Sequence, residues 1–252
     1  MKISSKKLFK ILSIAAAAIL WLLIWEIVAL SIGNSFVFPG ALKTFVTFAG
    51  FLTNASFWKT ALASIARIII GFVLGILLGC LLAFLCKSIK FLYEFISTGM
   101  TVVKSTPVAS IIMILWIIVD DRLLPILIAV LMVCPIIWQN LMNGYNAIDK
   151  DLSEVCAVFE FSKKQRLKLL VFPTLYRYFV PAALTSVGLA WKSGIAAEII
   201  SYTSNSIGKH IYLSKNNFDG HELLAWTLTV VIISLAFEFS VKGLFKRLES
   251  RL

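Results

Sequence analysis

Long apolar stretches separated by short polar segments run through the whole sequence. Six of these stretches hold about 20 residues or more: 10–31, 62–86, 94–118, 123–142, 174–200 and 223–243. Since an α-helix rises about 1.5 Å per residue, each stretch can cross a hydrocarbon core of about 30 Å. Lipid offers no partner for open backbone groups, which favours helices. The pattern predicts an all-α, polytopic membrane protein with about six transmembrane helices.

A polar, basic segment interrupts this pattern between the fourth and fifth stretches. It runs from Asp151 to Pro173. Asp151 is a good N-cap, and Glu154 follows three residues later as its partner in a capping box. Ser162 and Gln165 repeat this spacing. The segment is therefore expected to form two short helices.

The first of these short helices carries an apolar stripe and ends at a turn formed by Glu160-Phe161. The stripe consists of Leu152, Val155, Cys156 and Phe159. Apolar residues at this spacing share one face of a helix, and such a face needs something to cover it. Either a partner protein or the protein's own spans would satisfy the pattern.

Composition and charge agree with a membrane location. Hydrophobic residues make up 60% of the chain and charged residues only 15%, while the formal net charge is +11. A positive charge can indicate nucleic-acid binding. Here the basic residues lie at the ends of the apolar stretches, where membrane orientation requires them. We therefore predict a lipid bilayer, and no nucleic acid, as the partner of these charges.

The distribution of Lys and Arg also predicts the orientation. With the N-terminus inside, sixteen of these residues, from Lys2 to Arg251, lie on inner segments and only six on outer segments. Positive charge accumulates on the cytoplasmic side. The bias predicts a multi-pass protein of the cell membrane with both termini and the loop 143–173 in the cytoplasm.

Five ionisable residues fall within or near the ends of the apolar stretches: Glu26, Arg67, Lys104, Lys192 and Glu198. Such groups are costly in lipid and often functional. Lys192, Glu198 and Lys104 are candidates for a solute pathway or an intramembrane ion pair. Lys192 would either lower the barrier to an anion or pair with a carboxylate such as Glu198, although six residues of separation prevent pairing on one helix face. For Arg67 and Lys104 the alternative is extension to the nearest interface.

The second apolar stretch contains a row of small residues at every fourth position. Gly71, Gly75 and Gly79 form the row, and Ala83 continues it. Small residues at this spacing let a second helix approach closely in a membrane. We predict a helix-packing face here.

The chain lacks the usual sequence devices of an ATPase or a membrane enzyme. It contains no GxxxxGK[ST] phosphate-binding loop, no catalytic triad and no clustered metal-ligand motif. We therefore predict no enzymatic activity, no catalytic residue and no metal site. Energy for any transport would come from a partner protein or from an ion gradient.

The polar segment resembles the EAA loop of bacterial ABC-transporter permeases, with Glu154-Val155-Cys156 at its start and Phe172-Pro173 at its end. Other motifs resemble, in order and spacing, the binding-protein-dependent importers of nitrate, sulfonates, taurine, bicarbonate and some vitamin precursors. These motifs are Ser64, Arg67, Gly71 and Phe72; Pro107; Ile114-Leu115-Trp116; Trp191, Lys192 and Glu198; and Gly208 with Ile211. The resemblance covers roughly residues 36–245.

This resemblance implies a type I ABC importer permease, with a single transmembrane domain over 1–252 and a cytoplasmic coupling loop at about 149–173. In such permeases the short loop helix docks on a cytoplasmic ATPase subunit, which binds ATP and Mg, so this chain itself would hold no cofactor. The residues that the resemblance assigns to ATPase coupling are Asp151, Leu152, Ser153, Glu154, Val155, Cys156, Phe159, Glu160 and Phe161.

The other implied partners are a second copy of the permease, in a homodimer, and an extracellular solute-binding protein. That protein would deliver a small solute, such as a nitrate-, sulfonate- or taurine-like anion or a vitamin precursor. The implied location is the bacterial inner membrane. Two rivals stay open at this point: a secondary transporter driven by an ion gradient, and a membrane-embedded assembly factor without a transport path.

One position departs from the family pattern. Glu160 stands where the family's loop has a glycine. Glycine ends a helix in a left-handed conformation at no steric cost. Glutamate would pay about 1 kcal/mol or more for the same conformation, or the turn would differ.

Overall fold

The computed structural model describes residues 5–249. Within them the chain forms eleven α-helices and one π-helix, Leu167–Val171. The α-helices are α1 (Ser5–Ile32), α2 (Ala41–Leu52), α3 (Ala55–Ser88), α4 (Lys90–Ser105), α5 (Val108–Trp116), α6 (Leu124–Asn146), α7 (Lys150–Val158), α8 (Lys163–Arg166), α9 (Phe172–Ile200), α10 (Ile207–Asn216) and α11 (Gly220–Glu249). The predicted all-α fold is confirmed for this part of the chain. Lys2 and Arg251, used above for orientation, lie outside the described residues.

Five helical segments are long and apolar enough to cross a bilayer, and α4 with α5 would make a sixth span. The five are Leu12–Ile32, Ala55–Ser88, Leu124–Asn146, Lys163–Ile200 and Gly220–Leu248. The predicted number of about six is therefore confirmed.

The third predicted span, 94–118, is not the continuous helix that the hydropathy pattern suggested. The chain bends by 101° between α4 and α5. Thr106 is extended, with ψ 132°, because the ring of Pro107 disfavours a helical conformation in the residue before it. Pro107 also lacks the N–H that would continue α4. The span is broken at this proline.

The described chain forms two compact units. One contains the residues up to Trp58 together with His210–Val231, and the other contains Lys59–Lys209 together with the residues from Ile232 onward. In the first unit, the ring centre of Trp226 lies 4.9 Å from the ring centre of Phe51 and 4.5 Å from that of His210. These aromatic rings form its packed centre.

Glu26, one of the predicted ionisable residues, caps a helix in this first unit. Its carboxylate accepts a hydrogen bond from the backbone N–H of Ala41 at 2.7 Å, at the start of α2. Gly40 makes the approach possible, since a Cβ at this position would lie 2.4 Å from the Glu26 Oε1. The carboxylate thus satisfies an N–H that α2 leaves open.

In the second unit α6 lies at the centre and packs most extensively on α9. The buried core here includes Ile112, Leu124, Ile128, Met132 and Ala197. Ile112 comes from α5 and Ala197 from α9, so the core joins three helices. This arrangement holds the broken span against the rest of the unit.

The glycine row of α3 lies against α6. A Cβ on Gly71 would lie 2.6 Å from the carbonyl oxygen of Ile126, and one on Gly75 would lie 2.7 Å from the Cβ of Val133. Gly79 is equally close, with 2.8 Å to the Cβ of Ile137. Any larger residue would push the two helices apart, so their contact depends on these glycines.

We predict that Gly71→Ala lowers the free energy of unfolding by about 1–3 kcal/mol, because the added methyl meets a backbone carbonyl that cannot rotate away. Gly99→Ala in α4 is the matched control, since nothing lies within 4 Å of its Cβ position. That change should be neutral or stabilising by up to about 1 kcal/mol. Denaturant unfolding of the purified protein in detergent measures both. Equal effects of the two changes would contradict the packing role.

Candidate functional site

Helix α7 is capped by Asp149. The Asp149 side chain accepts hydrogen bonds from the backbone N–H groups of Asp151, at 2.8 Å, and Leu152, at 3.3 Å. The predicted N-cap at Asp151 and its box with Glu154 are therefore wrong. Asp149 has the extended backbone that an N-cap needs, whereas Asp151 already lies in the first helical turn. The cap begins α7 two residues earlier than the sequence pattern indicated.

Helix α7 ends in a Schellman motif centred on Glu160. The N–H of Phe161 donates to the carbonyl of Cys156 at 2.9 Å, and the N–H of Glu160 donates to that of Ala157 at 3.1 Å. Glu160 has φ 49°, in the left-handed region. Glutamate therefore adopts the conformation that a glycine would take here, at a cost of about 1–2 kcal/mol. Of the two outcomes expected for Glu160, a left-handed residue or a different turn, the left-handed residue is the one that forms.

The predicted capping box of α8 is confirmed. Ser162 Oγ accepts from the N–H of Gln165, and the Gln165 side chain accepts from the N–H of Ser162. The π-helix follows, and the N–H of Phe172 donates to the carbonyl of Leu167. Pro173 comes next and cannot donate, which favours the wider turn before it. Through this turn the loop runs directly into α9.

The apolar stripe of α7 is mostly uncovered. Leu152 is 51% exposed, Val155 46% and Phe159 70%, whereas Cys156 is buried. The alternative in which the stripe packs on the protein's own spans therefore holds only for Cys156. Ser153 accepts a hydrogen bond from the Arg166 guanidinium at 2.6 Å, which ties α7 to α8. The result is a short helix that is tied to α8 and whose apolar side chains remain exposed in the described chain.

A second polar site surrounds Glu198 near the end of α9. Glu198 is fully buried, and its carboxylate accepts from Ser64 Oγ at 2.8 Å, Arg67 Nη1 at 2.8 Å and the N–H of Gly208 at 3.2 Å. A Cβ at Gly208 would lie 2.4 Å from that of Glu198, so only glycine permits this approach. Every donor that a buried carboxylate requires is supplied by the chain.

Arg67 also holds the segment between α9 and α10. Its Nη2 donates to the carbonyls of Ser204 and Asn205, both at 3.0 Å. The Asp121 carboxylate accepts from the N–H of Ser204 at 3.0 Å. Tyr202 and Asn205 have φ near 54° and 51°. Asparagine adopts this left-handed conformation readily, so the strain in this turn lies at Tyr202. Hydrogen bonds from α3 and from the α5–α6 connection keep it in place.

These contacts decide two alternatives that the sequence left open. The partner of Glu198 is Arg67 and not Lys192, and Arg67 is paired inside the protein rather than extended to an interface. The sequence reasoning missed that Ser64 and Arg67 act together on Glu198. Their separation of three residues places both on one face of α3, which was a usable signal.

Lys192 and Lys104 lie on exposed faces of their helices. Lys104 donates to the side-chain oxygen of Gln139, and among residues 5–249 no carboxylate lies within ion-pair distance of either lysine. A cavity of about 290 Å³ is bordered by Lys104, Thr106 and Leu189. A cation on a lipid-facing surface is costly, so this face requires water or a polar partner.

The sequence of this chain is similar to those of a known protein family and of individual transport proteins. The sequence pattern of the family described as "Binding-protein-dependent transport system inner membrane component" matches residues 71–252. The chain is 23% identical over 228 residues to the "Putative aliphatic sulfonates transport permease protein SsuC" of Bacillus subtilis (strain 168), a match that covers 89% of this chain and 82% of that protein. It is 24% identical over 241 residues to the "Nitrate import permease protein NrtB" of Synechocystis sp., covering 91% and 86%.

The fold is also shared with a solved structure. A chain in the crystal structure of a bacterial ABC transporter involved in the import of the acidic polysaccharide alginate superimposes with a TM-score of 0.62. The match covers 96% of both chains at 16% sequence identity. At this identity the likeness concerns the fold alone.

We predict that Arg67→Met destabilises the protein by about 3–5 kcal/mol, because it leaves the Glu198 carboxylate buried without a counter-charge. Adding Glu198→Gln to that variant should restore much of the loss, since the amide needs no cation. Arg122→Met is the control: its guanidinium donates to Ser204 Oγ at 3.2 Å in an exposed setting and should cost less than about 1 kcal/mol. Thermal unfolding in detergent separates the three variants. A loss at Arg67 no larger than that at Arg122 would contradict the pairing.

Proposed function

The chain belongs to the family of binding-protein-dependent transport system inner membrane components, and on that premise we propose that α7 is the element through which a cytoplasmic ATPase subunit drives transport. The chain is the membrane-spanning permease subunit of an ABC importer, and ATP hydrolysis takes place in a partner subunit. Family membership removes the support for an ion-driven transporter or an assembly factor. Partners of the permease include ATPase subunits and a solute-binding protein.

The observation that carries the coupling proposal is the uncovered stripe on α7. Leu152, Val155 and Phe159 are exposed on a helix that is capped at both ends. Such a short, rigid helix can enter a groove on another protein with its apolar face. The caps of α7 and the hydrogen bond between Ser153 and Arg166 stabilise the helix against unwinding. A force applied to α7 would therefore reach the adjoining segments.

We propose the orientation in which α7, α8 and both termini lie in the cytoplasm, which the excess of Lys and Arg on those segments supports. We also propose a homodimer, because a single permease provides one coupling helix and half of a pathway. The mass of the purified complex with its ATPase tests the dimer. Two permease copies are expected, and one copy, or a second, different permease chain, would contradict it.

The solute that we propose is a small anion such as nitrate or an aliphatic sulfonate. The relatives named above are permeases for such anions. Lys104 and Lys192 support this choice, because exposed cations within the spans attract an anion and raise the barrier to a cation. On this proposal, both lysines face the water-filled pathway of the assembled importer.

We predict that the double change Leu152→Glu and Val155→Glu lowers ATP-driven uptake about tenfold or more, since each apolar anchor is worth more than about 1 kcal/mol at an interface. The measurement is solute uptake into proteoliposomes that contain the complete importer, together with retention of the ATPase subunit on the purified permease. Phe218→Glu is the control, because Phe218 is also exposed, at 77% against 51% for Leu152 and 46% for Val155, and lies outside the coupling loop. Unchanged uptake and unchanged ATPase retention in the double variant would contradict the coupling role.

We predict that Lys192→Gln lowers anion uptake about five- to tenfold, corresponding to about 1–1.4 kcal/mol of lost attraction. Lys192→Arg keeps the charge and should restore most of the rate. ATPase retention should stay unchanged in both variants, which distinguishes this effect from a loss of coupling. Wild-type uptake in Lys192→Gln, or equal losses in the Gln and Arg variants, would contradict a role for the charge.

A further inference from the structure

A basic pocket lies behind the coupling helix. It has a volume of about 580 Å³, and its lining includes Lys87, Lys150 and Arg166. Lys87 comes from the end of α3, Lys150 begins α7, and Arg166 ends α8. Three cations from three helices therefore converge on one concavity.

The described residues balance the charges of this pocket only in part. Glu154 lines the same pocket, but among the described residues neither it nor any other carboxylate lies within ion-pair distance of the three cations. Two of the cations are held by neutral groups: the Lys87 ammonium lies 5.6 Å from the centre of the Tyr145 ring, and Arg166 donates to Ser153. The pocket thus carries an excess of two positive charges.

The position of the pocket fits a phosphate-bearing ligand at the membrane surface. Lys87 and Tyr145 lie at the ends of two membrane-spanning helices, α3 and α6, where lipid headgroups begin. Arg binds phosphate through parallel N–H donors, and Lys adds a compact charge. Basic pockets between spans at this level bind anionic headgroups.

We propose that this pocket binds a phosphoryl group, supplied either by the headgroup of an anionic phospholipid or by a free phosphate ion. The ligand would bridge Lys87 on α3 and Lys150 on α7. Such a bridge ties the coupling helix α7 to the membrane-spanning helix α3 across the pocket. Binding at this site is independent of which solute the importer carries.

The test uses the assembled importer with its ATPase subunits in nanodiscs. One set contains phosphatidylcholine alone, with and without inorganic phosphate at constant ionic strength, and the other also contains phosphatidylglycerol. The readouts are the unfolding temperature and the number of phosphatidylglycerol molecules retained in native mass spectrometry. The pocket variant is Lys87→Gln with Lys150→Gln. The matched control is Lys163→Gln with Lys164→Gln, which removes the same amount of charge from α8, at positions that do not line the pocket.

If a phospholipid supplies the phosphoryl group, phosphatidylglycerol should raise the unfolding temperature of the wild type and the control. The pocket variant should bind it about thirtyfold more weakly, since each cation contributes about 1 kcal/mol. A free-ion source predicts the same pattern for inorganic phosphate in phosphatidylcholine. If the double variant does not assemble, each single change should weaken binding about fivefold. No response of the wild type to either ligand, or equal losses in the control, would overturn the proposal.

Discussion

Lipid cannot satisfy polar groups, and this constraint shapes the whole molecule. Inside the spans, Glu198 is buried only because Ser64, Arg67 and the N–H of Gly208 all reach it. After α4 ends at Ser105, Thr106 is extended and Pro107 breaks the span. The two lysines without a carboxylate partner among the described residues, Lys104 and Lys192, stand out for the same reason. On the proposed function, exposed cations such as these are the groups that an anionic solute would meet.

The loop formed by α7 and α8 and the site around Glu198 lie at opposite ends of one long helical segment. Lys163–Ile200 is 38 residues long and includes α8, the π-helix and α9. It begins beside α7 and ends two residues after Glu198, which Arg67 links to α3. Helices transmit displacement well because their hydrogen bonds are internal. On the proposed coupling role, a force on α7 would have a continuous helical route to the turn around Tyr202 and Asn205.

The sequence predicted the elements better than their junctions. Hydropathy located the spans and glycine spacing located the face of α3, because both follow from local periodicity. The N-cap of α7 is Asp149 and not Asp151. Its position depends on where the chain leaves α6, which the periodicity of apolar residues does not reveal. Arg67 and Glu198 are 131 positions apart in the sequence. Each could be recognised as part of a motif, but the sequence did not reveal that they form an ion pair. The exposure of Leu152 and Val155 likewise required knowledge of what packs around α7.

The central claim is that α7 contacts a separate ATPase subunit in the cytoplasm. A Leu152→Cys variant, made in a background without the four native cysteines, tests it directly in intact cells. The expected result is a crosslink to the ATPase subunit, together with protection from a thiol reagent that cannot cross the membrane. Labelling of this cysteine from outside the cell, or a fully assembled importer in which it crosslinks to no other chain, would contradict the account.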